Sequence, residues 1–164
     1  MCRVSQLVDC LRRKGWTLTC AESCTGGLIA TRITSVPGAS SVFPGAVVAY
    51  ANRVKQCLLQ VSPDILSREG AVSSDCARAM AAGARRLLDC DWSLAVTGIA
   101  GPDGGTPAKP VGLVFIALQG PSPANGMVER HFFEGDRQEV REQTAQRAID
   151  LTLQAVNNQE MTPC

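Results

Sequence analysis

The sequence predicts a three-layer α/β/α sandwich on a mixed, mostly parallel sheet. Three observations carry that prediction. Strand-like and helix-like stretches mostly alternate, as expected for strands joined by crossover helices. Two short apolar runs, Gly45 to Tyr50 and Ser93 to Thr97, lack polar alternation and suit strands covered on both faces. Near the end, Val111 to Gln119 and Met127 to Phe133 read as two strands joined across Gly120 to Gly126, a hairpin with a loop.

The elements follow in order. Ser5 to Lys14 places Leu7, Val8 and Leu11 on one helical face, and Gly15 stops the helix. Trp16 to Ala21 alternates, as a strand does. A polar turn runs to Gly27, and Leu28, Ile29 and Ile33 then begin a helix. Pro37 to Ser41 is a loop. After the Gly45–Tyr50 strand, Asn52 is the expected N-cap of a short helix carrying Val54, Lys55, Leu58 and Leu59. Ser62-Pro63 starts another helix, with Ser as N-cap and Pro at the first helical position. Ser74 to Leu88 is the clearest helix, with Ala79, Met80, Ala84, Leu87 and Leu88 inward and Arg78, Arg85 and Arg86 wet. Asp136 with Glu139 three positions on forms a capping box for the last helix. The tail past Gln154 turns polar and is expected to fray. No repeat, linker or low-complexity stretch interrupts residues 1–164, so one domain is expected.

Composition narrows the function. Hydrophobic residues are 45% and aromatics only 4%, which predicts a core of Ala, Val, Leu and Ile. The net charge of +1 gives no electrostatic footprint for nucleic acid. A small anion needs only one or two placed arginines. The 8 cysteines form no C-x-x-C pair and read as reduced thiols of a cytoplasmic protein. His131 is the only histidine, so zinc-ligand spacing is absent and no metal is expected. No stretch approaches the ~20 apolar residues of a membrane span, and no signal peptide is read. The apolar content is compatible with a homo-oligomer, a dimer being the simplest.

Ligands of open α/β sheets sit at the carboxyl ends of strands. Three polar or Gly-rich turns follow strand candidates, Glu22 to Gly27, Tyr50 to Lys55 and Thr97 to Thr106, and they are expected to meet. In the first, Ser23 before Gly26-Gly27 is either a nucleophile beside open backbone N–H groups or part of a simple turn. A serine nucleophile needs a base. His131, in a distant strand, reads as structural, which leaves Lys14, Lys55 and Lys109. Lys14 sits at a helix C-terminus and suits the dipole there. Lys109 reads as a rim charge. Lys55 is either a solvated helix residue or a base whose pKa falls from about 10.4 to about 7–8. Tyr50, the only tyrosine, is a core residue or a proton relay. The glycines of the third turn permit a ligand-holding nest. Arg137 and Arg141, four apart, either hold a phosphate or stay solvated.

Together, Ala21-Glu22-Ser23-Cys24-Thr25-Gly26-Gly27, Tyr50-x-Asn52-x-x-Lys55, Gly70-Ala71-Val72-Ser73, and Thr97 to Gly105 with Lys109-Pro110-Val111-Gly112 resemble the CinA C-terminal domain family. The resemblance runs from about Val8 to Leu153 and is to the stand-alone form. Its characterised members are nicotinamide-nucleotide amidohydrolases. It implies an α/β/α fold and metal- and cofactor-free hydrolysis of nicotinamide mononucleotide to nicotinate mononucleotide and ammonia. It implies Ser23 as nucleophile, Lys55 as base and Tyr50 close by. Backbone N–H groups of Cys24, Thr25, Gly26 and Gly27 would receive the oxyanion. Asn52, the loop residues Thr97, Gly98, Ala100, Gly101 and Asp103, and Arg137 would hold the substrate. Two positions depart from the family pattern Tyr-Ser/Thr-Asn-Glu-x-Lys: Ala51 replaces the hydroxyl and Arg53 the acid. Those departures leave a second reading, a pyridine-nucleotide-binding module without turnover. DNA binding, suggested by the family's competence name, fits poorly with the balanced charge.

Overall fold

The computed structural model describes residues 2–159. Its sheet has five strands: β1 (Leu18–Glu22), β2 (Ala46–Val48), β3 (Trp92–Gly98), β4 (Leu113–Gln119) and β5 (Met127–Phe132), in the order β2-β1-β3-β4-β5. β1 pairs in parallel with both β2 and β3. β4 is antiparallel to β3 and to β5, so it alone opposes the common strand direction. The helices are α1 (Arg3–Lys14), α2 (Leu28–Thr34), α3 (Asn52–Cys57), α4 (Pro63–Arg68), α5 (Ser74–Leu88) and α6 (Arg137–Asn158). The chain is therefore the expected α/β/α sandwich.

The two faces of the sheet pack differently. On one, Leu7 and Leu11 of α1, Ile29 and Ile33 of α2, and Val140, Ile149 and Val156 of α6 meet Leu94, Val96, Ile116 and Leu118. Full burial of such a side chain is worth about 1.5–3 kcal/mol. On the other, Ala21, Ala95 and Ala117 lie in direct register across the three central strands. Against this alanine row packs α5, itself rich in small residues through Ala77, Ala81 and Ala84. The approach is close enough for the Ser93 hydroxyl to donate to the Ala81 carbonyl at 2.7 Å. Behind α5, Gly83 faces Leu59: a Cβ built there would stand 2.0 Å from the Leu59 carbonyl oxygen.

Several sequence expectations shift. The Gly45–Tyr50 run yields only the three-residue β2, and Val48 is 48% exposed. β2 is an edge strand, and its exposed Val48 shows that it is not covered on both faces as expected. β1 begins at Leu18, not Trp16, and β4 at Leu113, not Val111. Leu87, expected inward, is exposed. α6 continues past Gln154 to Asn158, because Leu153 and Val156 are buried and Lys14 donates to the Val156 and Gln159 carbonyls. Lys14 thus serves the end of α6, where its own helix was expected. The rest of the tail expected to fray past Gln154, residues 160–164 with Cys164, lies outside the described residues. Ser62 caps α4 and Asp136 with Glu139 forms the capping box, both as read from sequence. The seven cysteines among the described residues are free thiols. No helix among these residues is long and apolar enough to cross a membrane.

The Gly83 contact gives a direct test of packing. Gly83→Ala must push α5 from the Leu59 backbone, an overpacking cost of about 1–3 kcal/mol. Urea denaturation is expected to show a lower midpoint at unchanged slope. An unchanged midpoint would mean that α5 has room to move.

Candidate active site

Because β2, β1 and β3 are parallel neighbours, their carboxyl ends share one edge. Backbone bonds lock the following turns side by side: Ser23 N–H donates to Val96 O at 3.1 Å, and Ala49 N–H to Glu22 O at 2.8 Å. A cavity of about 280 Å³ opens there, near the lower end of the range for small-molecule sites. Ser23, Cys24, Tyr50, Asn52, Lys55, Thr97, Gly98, Ala100, Gly101, Asp103 and Arg137 line it.

The turn after β1 is shaped by Glu22. Its side chain is fully buried and accepts from Gly27 N–H (3.0 Å), Ile29 N–H (3.2 Å) and Ala30 N–H (2.8 Å), the open donors at the start of α2. Gly26 and Gly27 take φ of +61° and +99°, which side chains disfavour. The result turns the chain sharply and leaves Ser23 facing the cavity.

Lys55 comes from α3 and is 1% exposed. Its Nζ lies 3.1 Å from Ser23 Oγ, 2.7 Å from Ala49 O and 3.2 Å from Tyr50 O. It belongs to none of the ion pairs among the described residues. Burial lowers its pKa from the ordinary 10.5; the Cys76 and Cys24 thiols act in the opposite sense. Burial, however, pushes Cys24 up to about 12 and also raises Cys76, so neither is a thiolate near neutral pH. A neutral Lys55 has two N–H bonds and one lone pair. Two carbonyls match the N–H bonds, and the lone pair then faces the Ser23 hydroxyl. Cys24, with its raised pKa, is not a competing nucleophile.

Arg137, the first residue of α6, donates to Gly101 O at 2.7 Å and to Tyr50 Oη at 2.9 Å. Both partners are neutral and Arg137 is in none of the ion pairs among the described residues, so its charge is uncompensated at the cavity wall. Tyr50 is 60% exposed and is not a core residue. His131 lies outside the cavity, bonded to Glu129 and stacked on Phe133.

Other placements differ from the sequence reading. Thr25, Gly26 and Gly27 do not line the cavity. Gly26 N–H is taken by Ser23 O and Gly27 N–H by Glu22, so two of the four expected oxyanion donors are spent inside the protein. Arg141 donates to Thr25 O and Gln138, bracing the turn away from any phosphate-holding role. Lys109 is no rim charge: its Nζ bonds the Glu69 and Val72 carbonyls. Asn52 is the first residue of α3; the N-cap is Ala51, which has no side-chain bond to give. Ala51 and Arg53 are both exposed and outside the cavity lining. Sequence reasoning missed Ala71 and Val72 as cavity walls, and within the Thr97–Gly105 loop it did not single out Ile99 and Gly104. They act through shape and backbone, and only the Gly70–Ser73 and Thr97–Gly105 motifs could have flagged them.

Fold and site together define an α/β protein with a buried serine–lysine pair at the carboxyl edge of its sheet. The chain belongs to the CinA C-terminal domain family, which matches residues 3–156. It is 51% identical over 146 residues to a CinA-like protein of Parasynechococcus marenigrum and 54% over 140 residues to one of Geotalea uraniireducens. These alignments cover 89% and 85% of this chain but 35% and 33% of the relatives, so the chain spans about a third of their length. Among solved structures, a competence-damaged protein (CinA) superfamily protein of Klebsiella pneumoniae superposes with a TM-score of 0.91 at 29% identity, covering 96% of this chain and 97% of that one. The competence/damage inducible protein CihA of Agrobacterium tumefaciens gives 0.85 at 36% identity, covering 96% and 98%.

The departures at Ala51 and Arg53 weaken the start of α3, by a missing cap hydroxyl and a cation where the dipole favours an anion. Ala51→Ser is expected to raise unfolding free energy by about 0.5–1 kcal/mol. Chemical denaturation checks this; no gain would show that water already serves the open N–H groups.

Proposed function

We propose that this chain hydrolyses the carboxamide of nicotinamide mononucleotide to nicotinate mononucleotide and ammonia. The observation that carries the reading is the buried Lys55 Nζ, 3.1 Å from Ser23 Oγ and unpaired with any carboxylate among the described residues. Ser23 Oγ attacks the amide carbon while its proton passes to Lys55 Nζ. The Cys24 N–H, not taken up as those of Gly26 and Gly27 are, receives the oxyanion. Collapse breaks the C–N bond; Lys55 returns the proton to the leaving nitrogen, and ammonia departs. Water then attacks the acyl-serine, with Lys55 again taking and returning a proton, and the carboxylate product leaves. The uncompensated guanidinium of Arg137 suits the substrate phosphate, and Asn52 and Asp103 offer polar groups for the ribose. The Ala51 and Arg53 departures, the support for a binding-only module, lie outside this cavity.

Ammonia release from nicotinamide mononucleotide by the purified chain tests the reading. Ser23→Ala is expected to remove activity, and Lys55→Met to lower kcat about 10²–10⁴-fold with little loss of affinity. No release by the wild type, or equal release by Ser23→Ala, would sink it.

The neutral amine is the active form of Lys55. Activity is therefore expected to rise with pH through its folded pKa, below 10.5, and to level off above it. A rate that falls with pH across that limb would contradict Lys55 as the base.

A further inference from the structure

The turn between α4 and α5 has an uneven hydrogen-bond pattern. Lys109 Nζ donates to Val72 O at 2.8 Å and to Glu69 O. Thr97 Oγ1 donates to Ala71 O at 2.7 Å, Ser73 Oγ to Gly70 O at 2.9 Å, and Ala77 N–H to Ser73 O at 3.0 Å. Every carbonyl from Glu69 to Ser73 thus has a donor. No N–H from Gly70 to Ser73 has a protein acceptor among the described residues. The carbonyls of this backbone each have a partner, whereas its four N–H groups have none among the described residues.

Ala71 and Val72 line the same cavity as Ser23 and Lys55. The turn is also braced to the strand that holds the nucleophile. Thr97 grips Ala71 O, and Val96, one residue earlier, accepts the Ser23 N–H. Lys109 is the long arm of this brace. It reaches from the loop before β4, packs over Gly70, and belongs to none of the ion pairs among the described residues. A Cβ on Gly70 would stand 3.1 Å from its Nζ. Its three N–H bonds suit a bridge between two carbonyls, and a carboxylate partner is not needed.

We propose that Lys109 is a positioning residue for the hydrolysis: it holds the Gly70–Ser73 turn so that its free N–H groups meet the oxygen of the reacting carboxamide. This rests on the amide hydrolysis proposed above. The turn would supply donors in place of Gly26 and Gly27, whose N–H groups are spent. Lys109 touches no substrate atom and acts through the backbone it grips.

The test uses the full chain and a fluorophosphonate probe. Ser23 Oγ bonds to phosphorus, fluoride leaves, and the hydroxyl proton passes to Lys55. The phosphoryl oxygen then needs the same donors as the amide oxygen. Lys109→Met is expected to slow labelling, and to lower kcat on nicotinamide mononucleotide, by about tenfold or more. KM should stay within about threefold, and the acid limb of the pH profile should not move. Lys109→Arg keeps two donors and is expected to recover at least about a third of the wild-type rate. Wild-type labelling by Lys109→Met overturns the proposal. So does a loss confined to KM, a shifted acid limb, or a folded Lys109→Arg no faster than Lys109→Met. Should Lys109→Met not fold, Lys109→Gln takes its place, with a wild-type rate again overturning the proposal. A wild type that is labelled at Ser23 yet releases no ammonia defeats the nucleotide reading and leaves the Lys109 test intact.

Discussion

The site depends on one buried carboxyl group. Glu22 ends the central strand β1 and accepts three N–H groups from the start of α2. These bonds satisfy the carboxyl oxygens, which would otherwise be buried polar atoms without partners. The contact fixes strand end to helix start across only a few residues. Ser23 lies between them, its own N–H bonded to Val96 O. The same contact consumes the donors that a helix N-terminus would otherwise offer to a ligand. The cavity must therefore find its donors elsewhere in the backbone.

Lys55 is the counterpart on the neighbouring turn. A buried ammonium without a carboxylate is costly, and that cost is what favours the neutral amine. Two backbone carbonyls, from Ala49 and Tyr50, fix its direction. These carbonyls belong to the segment leaving β2, and β2 is held in register by β1. Ser23 and Lys55 are thus aligned by strand pairing.

Side-chain chemistry and spacing were legible in the sequence; backbone chemistry was not. The sandwich followed from alternation and from the apolar run around Val96. The meeting of three turns followed from the rule that parallel strands end together. Lys55 could be singled out once His131 was set aside. Glu22 was read only as part of a motif, because nothing in the sequence says which N–H groups a carboxyl will reach. Lys109 was misread for the same reason, since a carbonyl acceptor leaves no mark in composition. β2 was overestimated because an apolar run does not reveal whether its strand lies at the sheet's edge. Thr25, Gly26 and Gly27 were placed in the cavity by proximity to Ser23, whereas the turn carries them behind it.

The alanine row beneath α5 has a geometric consequence. Ala21, Ala95 and Ala117 are the spacer between sheet and helix. The N-terminal end of α5 continues from the Gly70–Ser73 turn, and that turn forms one wall of the cavity. The thickness of three methyl groups therefore gauges the distance between that wall and Ser23 on the sheet's edge. The smallest side chains of the core thus act as the calibration of the pocket, although none of the three lines it.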